Sequence, residues 1–416
     1  MKERNTTFTI LSAIGMILIL LGHLDFDVAT FGGLFPYYSY HVMIFVFIAG
    51  YFRKPENEEH IAGFICKKAK RLLLPYLIWN VVYGLVSAAL RANDYDYAGE
   101  FNLYNIFAAP FVGGHQFGLN SPAWFVPALF LLEVSDICAR KVIDFLYKRI
   151  CGFRSDSDNK GMYATAMEWV VMILYLMVGM SAVYLAERGS VYDLYRIPAR
   201  LMLMAPSLQF GRLYRTRLER YDITPGIIYF PLLFLMNLIL TTTHGGLAYS
   251  TVWVTGFGGT LLTPFITSLT GIALWLRISK ILCKLFNNKE TPSFRIVGEG
   301  EELKSISPAF RLIQGIGTHT YDIMMHHLAV FWLIKAAFVR IGERTAFATV
   351  LNDIDIQSFK SDIYYTYVPD GIIGYKWVYL AAGLLIPLMV GYLSEAAISA
   401  LRTGISNIRA GKKETE

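Results

Sequence analysis

Charge is scarce in this chain. Asp, Glu, Lys and Arg make up 17% of its 416 residues, whereas 55% are hydrophobic and the mean hydropathy is +0.43, a balance that excludes an ordinary soluble domain of this length. Cysteine is scarcer still, and Cys66, Cys138, Cys151 and Cys283 have neither disulfide nor zinc spacing. All four fall in or beside segments expected to face the cytoplasm, where thiols stay reduced. No low-complexity tract and no motif-level repeat is present, which weakens a transporter reading, because many transporters carry two related halves. No polar stretch is long enough for a soluble catalytic domain, and the segment 287–308 reads as a polar cytoplasmic loop. The first apolar run lacks a clear small-residue cleavage site and is expected to remain as an anchor. The net charge of +6 is spread over loops rather than gathered into a patch, so no nucleic-acid partner is expected.

What is abundant is apolar sequence in runs of spanning length, at 8–24, 35–52, 72–90, 123–138, 163–185, 197–210, 223–243, 256–276, 320–338 and 377–397. The expected fold is all-α: a polytopic membrane protein of about ten transmembrane helices, forming one integral membrane domain over residues 1–416. Arg200 and Pro206 interrupt the short sixth run, and a reentrant segment would read similarly. Basic residues alternate from loop to loop. Arg53, Lys54, Lys67, Lys68, Lys70 and Arg71 follow the second run, Arg140, Lys141, Lys148 and Arg149 the fourth, and Arg212, Arg215, Arg217 and Arg220 the sixth. The positive-inside rule puts these loops, and both termini, in the cytoplasm. The opposite loops are poorer in Lys and Arg and carry Asp25, Asp27, Asp94, Asp96 and Asp362 with Tyr95, Tyr97, Tyr364, Tyr365 and Tyr367.

Histidines near these runs are the candidates for chemistry, since an ionisable side chain at membrane depth is costly and suggests use. His23 closes the first run and His41 opens the second helix after a short turn. A neutral imidazole of near-neutral pKa suits general base work, and Asp25 or Asp27 could orient it. The same position also fits an interfacial residue satisfied by water or a neighbouring carbonyl. The ninth run opens with His319, His326 and His327. Adjacent helical residues point about 100° apart, so only one of His326 and His327 can face a given cavity squarely. Three- or four-residue spacing with acidic partners is missing, so no metal site is expected.

Five blocks in order carry a family resemblance: LSAIGMILILLGH at 11–23, HVMIFVFIAGY at 41–51, KRLLLPY at 70–76, PAWFVPALF at 122–130 and TYDIMMHH at 320–327. Together the chain resembles the acyltransferase 3 family of bacterial membrane O-acyltransferases, nearest to its fucose 4-O-acetylase-like branch. The resemblance implies a multi-pass protein of the bacterial inner membrane that transfers an acyl group, typically acetyl, from a cytosolic acyl-CoA to a hydroxyl of a cell-surface polysaccharide or lipid-linked glycan precursor. It implies acetyl-CoA as donor substrate, with no bound cofactor. His23 matches the family's motif histidine and is the expected general base, with His327 as its catalytic companion. Arg71, Trp124, His41, Tyr51 and His326 are the expected donor- or substrate-binding residues. The chain departs from the family pattern at Ser12, where an arginine three helical turns before the histidine is usual, and at Ala49, where a serine often precedes the Gly-Tyr pair. Arg71 could supply the cation from another helix. Two other classes remain open on the same residues: a transporter or flippase of a lipid-linked sugar, and a noncatalytic glycan-binding relative.

Overall fold

A computed structural model describes residues 5–54, 60–114, 117–150, 160–191, 193–245, 247, 249–258, 260–288, 307–344 and 354–413. Among them there is no strand, only an isolated bridge between Ser250 and Thr255. The helices used below are α1 Thr6–His23, α2 His41–Tyr51, α3 Leu74–Arg91, α4 Phe125–Ile150, α5 Lys160–Glu187, α6 Asp193–Leu213, α7 Gly226–His244, α8 Thr263–Asn288, α9 Pro308–Thr318, α10 Thr320–Arg344 and α11 Tyr375–Lys413. A helical lead-in, Ile61–Lys68 with the π-helical turn Ala69–Leu73, runs into α3, and a 3₁₀ segment, Gly118–Trp124, runs into α4.

Among the described residues eight helices are long and apolar enough to cross a membrane: α1, α3, α4, α5, α7, α8, α10 and α11. The expected second and sixth spans are the difference. The run 35–52 folds as a 3₁₀ turn, Tyr37–Ser39, followed by α2, whose 11 residues extend only about 16 Å. The sixth run becomes α6, 21 residues long with Pro198 and Pro206 inside it, long enough to cross yet too polar to qualify as an apolar span. Both are interior helices, packed chiefly on each other and, for α6, on α5. Their seam has no room for side chains. A Cβ on Gly50 would strike the Leu208 carbonyl, and one on Gly211 would strike the Phe47 carbonyl.

The centre is α1. The Asn5 side chain caps its start by accepting from the Phe8 amide at 3.4 Å. Ile10, Leu11, Met16 and Leu20 are fully or almost fully buried, and α1 packs on α2, α8, α9, α10 and α11. The outer helices instead present large apolar side chains outward, such as Ile78 and Leu85 on α3, Leu232 and Leu235 on α7, and Met389 and Leu393 on α11, the surface a bilayer would cover.

The two ends differ in chemistry. One holds the basic segments, and several of these cations are not loop charges at all. Arg53 and Arg140, expected as topology charges, are buried in an ion network. Asp136 accepts from Arg140 Nε at 3.0 Å and from the Tyr175 hydroxyl at 2.6 Å and pairs with Arg53, while Glu168 accepts from Arg212 at 2.7 Å and Gln209 at 2.8 Å. Paired ions of this kind can stay charged away from water, which an isolated one cannot. At the other end the connecting loops tie to one another: Ser39 donates to the Leu247 carbonyl at 2.9 Å, Lys360 to that of Asn93 at 3.0 Å and Lys376 to that of Asp25 at 2.7 Å. Among the described residues, Cys66, Cys138 and Cys283 form no disulfide. Cys151 and residues 289–306 of the expected polar loop lie outside the described residues.

Candidate functional site

His23 is the last residue of α1, and the chain turns immediately after it. Leu24 still has helical angles, but Asp25 takes φ +46°, a left-handed conformation that ends the helix. The Gly22 carbonyl accepts from the Asp25 amide at 3.1 Å and also from the Tyr38 hydroxyl. His23 therefore looks into the space between the helix ends and the connecting loops.

That space is a cavity of about 310 Å³, lined at its polar end by His23, Tyr38, His41, Trp124, Ser250 and Tyr364. Its floor, toward the basic end, is apolar and is made by Ile19, Val42, Phe45, Phe125 and Met324. The volume is at the small end of the roughly 300–1,000 Å³ usual for ligand sites.

The local geometry fixes the state of two imidazoles. His41 Nδ1 lies 2.5 Å from the Tyr37 carbonyl, and His327 Nδ1 lies 2.8 Å from the Ile323 carbonyl. A carbonyl oxygen can only accept, so each Nδ1 carries a hydrogen, and in the neutral ring Nε2 presents the lone pair. His327 Nε2 is buried and has no hydrogen-bond partner among the described residues. The His23 ring stacks on that of His327 with centroids 5.1 Å apart, and on that of Tyr364 at 5.4 Å. The Tyr364 hydroxyl is 3.0 Å from Ser121 Oγ. Burial pushes that hydroxyl above its ordinary pKa, outweighing the Ser121 bond, so it stays protonated at physiological pH.

Of the residues singled out in the sequence, His23, His41 and Trp124 line this one cavity, and His327 lies directly against His23. The others lie elsewhere. His326 points toward α3, where its Nδ1 is 2.7 Å from the Tyr83 hydroxyl and its ring meets Trp79 at 4.3 Å. The roughly 100° step between neighbours on a helix thus gives the two histidines different surroundings. Tyr51 is at the basic end, donating to Glu219 at 2.8 Å while Arg215 donates to its carbonyl at 3.0 Å. Arg71 is exposed on the π-helical turn that leads into α3 and does not line the cavity.

The buried cation that packs on the cavity-lining Trp124 comes from α6. Arg200 is 1% exposed, its guanidinium lies 4.1 Å from the centre of the Trp124 ring, and it donates to the Val252 carbonyl at 2.7 Å and the Gly113 carbonyl at 3.4 Å. It joins three segments that do not adjoin in sequence. In the sequence Arg200 stands out only as an interruption of a short apolar run, although a cation inside such a run is itself a signal. Tyr364 was legible only as one of several aromatic residues in an outer loop. Replacing Arg200 by Met is expected to lower stability by about 2–3 kcal/mol, from two lost carbonyl bonds and one cation–π contact, and Arg200→Lys to recover part of it. Thermal unfolding in detergent, with tryptophan emission as a second probe, measures this. Unchanged unfolding and emission in Arg200→Met would rule the role out.

The family model described as an acyltransferase domain, Acyl_transf_3, matches residues 7–135. The matched stretch holds His23, His41, Tyr51, Arg71 and Trp124, while Arg200, His326, His327 and Tyr364 lie beyond it. No curated protein and no solved structure matches the chain. The match supports the acyltransferase 3 family and, in a chain built of membrane-length apolar helices, a membrane acyltransferase.

Proposed function

We propose that the chain, acting as a single domain over residues 1–416, is an O-acyltransferase of the bacterial inner membrane. It moves acetyl from acetyl-CoA to a hydroxyl of a cell-surface polysaccharide or of its lipid-linked precursor. The observation that carries this reading is the His23 imidazole at the wall of a small aromatic-lined cavity, inside the stretch matched as an acyltransferase domain. Aromatic faces at Trp124, Tyr38 and Tyr364 suit the apolar faces of a sugar ring, and the imidazoles suit its hydroxyls.

In this mechanism His23 accepts the proton of the acceptor hydroxyl as that oxygen attacks the thioester carbonyl. The new C–O bond forms, the C–S bond breaks, and the departing thiolate takes up the proton held by the imidazole. His327 holds the His23 ring by stacking and offers a second lone pair beside it. The positive-inside rule puts the basic end in the cytoplasm and the cavity toward the outer face, so donor and acceptor approach from opposite sides of the apolar floor.

The test is acetyl analysis of surface polysaccharide from cells with the gene, without it, and with His23→Ala at matched expression. The expected result is acetyl content lost with the gene and not restored by His23→Ala. Equal acetyl content in all three would remove the proposal.

A further inference from the structure

Lys335 is a buried cation that the mechanism does not use. It sits on α10 eight residues beyond His327, about 12 Å further along the helix, and is 1% exposed. Burying an ammonium costs several kcal/mol unless its donors are satisfied. Here they are spent on backbone: Nζ donates to the Ile363 carbonyl at 3.0 Å and to the Tyr365 carbonyl at 2.7 Å. Those are the two residues that flank Tyr364. The loop on either side has its own anchors. Asp355 caps the short helix Ile356–Ser361 by accepting from the Gln357 and Ser358 amides at 3.0 and 3.1 Å, and the Tyr379 hydroxyl donates to the Tyr367 carbonyl at 3.0 Å. At Tyr364 itself the amide donates to Asp362 Oδ1 at 2.8 Å and the carbonyl accepts from the Thr366 hydroxyl at 3.3 Å, Lys335 holds the carbonyls on either side, the hydroxyl lies 3.0 Å from Ser121 Oγ, and the ring stacks on His23 at an interplanar angle of 14°.

We infer that Lys335 is a positioning residue: by clamping both neighbours of Tyr364 it holds the tyrosine ring against His23, and so sets the orientation of the imidazole in the cavity. One helix, α10, then supplies both supports of His23, His327 by direct stacking and Lys335 through Tyr364. The consequence for catalysis rests on the acyl-transfer reading, whereas the geometric link does not.

The experiment uses full-length protein carrying 3-fluorotyrosine at position 364, read by fluorine NMR in detergent, with unfolding temperature and acetyl transfer measured on the same samples. His23→Ala identifies the resonance change that accompanies loss of the stack. Lys335→Met is expected to move or broaden the signal in the same sense and to lower transfer about ten- to a hundredfold, the scale of a misplaced catalytic group, with KM for acetyl-CoA unchanged. Lys335→Arg is expected to restore signal and rate, because its guanidinium can reach both carbonyls. A Lys335→Met protein whose unfolding temperature falls while the signal stays in place would overturn the inference and leave the lysine a packing role. Should Lys335→Met not accumulate, Lys335→Gln, which keeps one donor group, decides by the same spectra. Absence of transfer in the wild-type protein would count against the acyltransferase reading, and the spectra would still decide the role of Lys335.

Discussion

Replacing His23 by Ala is expected to lower acyl transfer by a factor of about 10²–10⁴, the usual contribution of a general base, from a protein that stays folded and loses about 1–3 kcal/mol of stability. The two effects separate because of where the residue sits. His23 is the last residue of α1, half-buried at a cavity wall, so its removal opens no hole in the core. The loss includes ring contact with His327 and Tyr364, each worth about 0.5–1.5 kcal/mol. His23→Gln preserves a polar side chain but no basic nitrogen, and is expected to be as inactive as His23→Ala. His327→Ala should behave differently, since that side chain is fully buried: it leaves a void within α10's packing and lowers stability and transfer together. Initial rates on purified protein with a defined glycan acceptor, paired with unfolding midpoints, make the comparison. Full activity in His23→Gln would show that the imidazole is not the base.

The features legible in the sequence are those set by local pattern. An apolar run of spanning length gives α1, the alternation of basic loops gives the two chemically distinct ends, and the angular step along a helix separates His326 from His327. The shortfall lies where long-range packing overrides local pattern. The run 35–52 is apolar enough to read as a span, yet Pro36 and the turn at Tyr37–Ser39 leave only 11 residues for α2. Arg53 and Arg140 sit at the right place to be topology charges, and although Asp136 is four residues from Arg140 on α4, no local window reveals the pairing of Arg53 with Asp136 or of Arg140 with Glu168 on α5. The same holds at the cavity. Its walls combine residues from the first 125 positions with Ser250, Val252, Trp253, Met324 and Tyr364, a juxtaposition made only by tertiary folding. The departure at Ser12 gains a physical setting here: its hydroxyl donates to the Phe8 carbonyl at 2.8 Å, leaving α1 without a cation at that level, whereas Arg200 from α6 packs on the cavity-lining Trp124.

Substitution of Gly50 by Ala is expected to be among the most destabilising single-methyl changes in the protein, costing about 3 kcal/mol or more, the upper range for overpacking. The obstacle is the Leu208 carbonyl, part of the α6 backbone, so no rotamer change relieves it and the helices must separate. Gly211→Ala meets the reciprocal obstacle at the Phe47 carbonyl. Because either methyl forces the same separation, the double variant should cost less than the sum of the two. Gly63→Ala is the control. It lies in the helix Ile61–Lys68 with open space around its Cβ position, and alanine there should be neutral or stabilising by about 0.5–1 kcal/mol. Unfolding midpoints in detergent distinguish these cases, and a Gly50→Ala protein as stable as Gly63→Ala would refute the close packing. The effect reaches function because α2 carries His41 at its other end, nine residues from Gly50 and about 14 Å along the axis. Separating α2 from α6 also displaces Arg200 relative to Trp124, so the seam and the cavity wall fail together. Loss of transfer in Gly50→Ala should therefore track loss of stability, in contrast to His23→Ala, where activity is lost from a protein that remains folded.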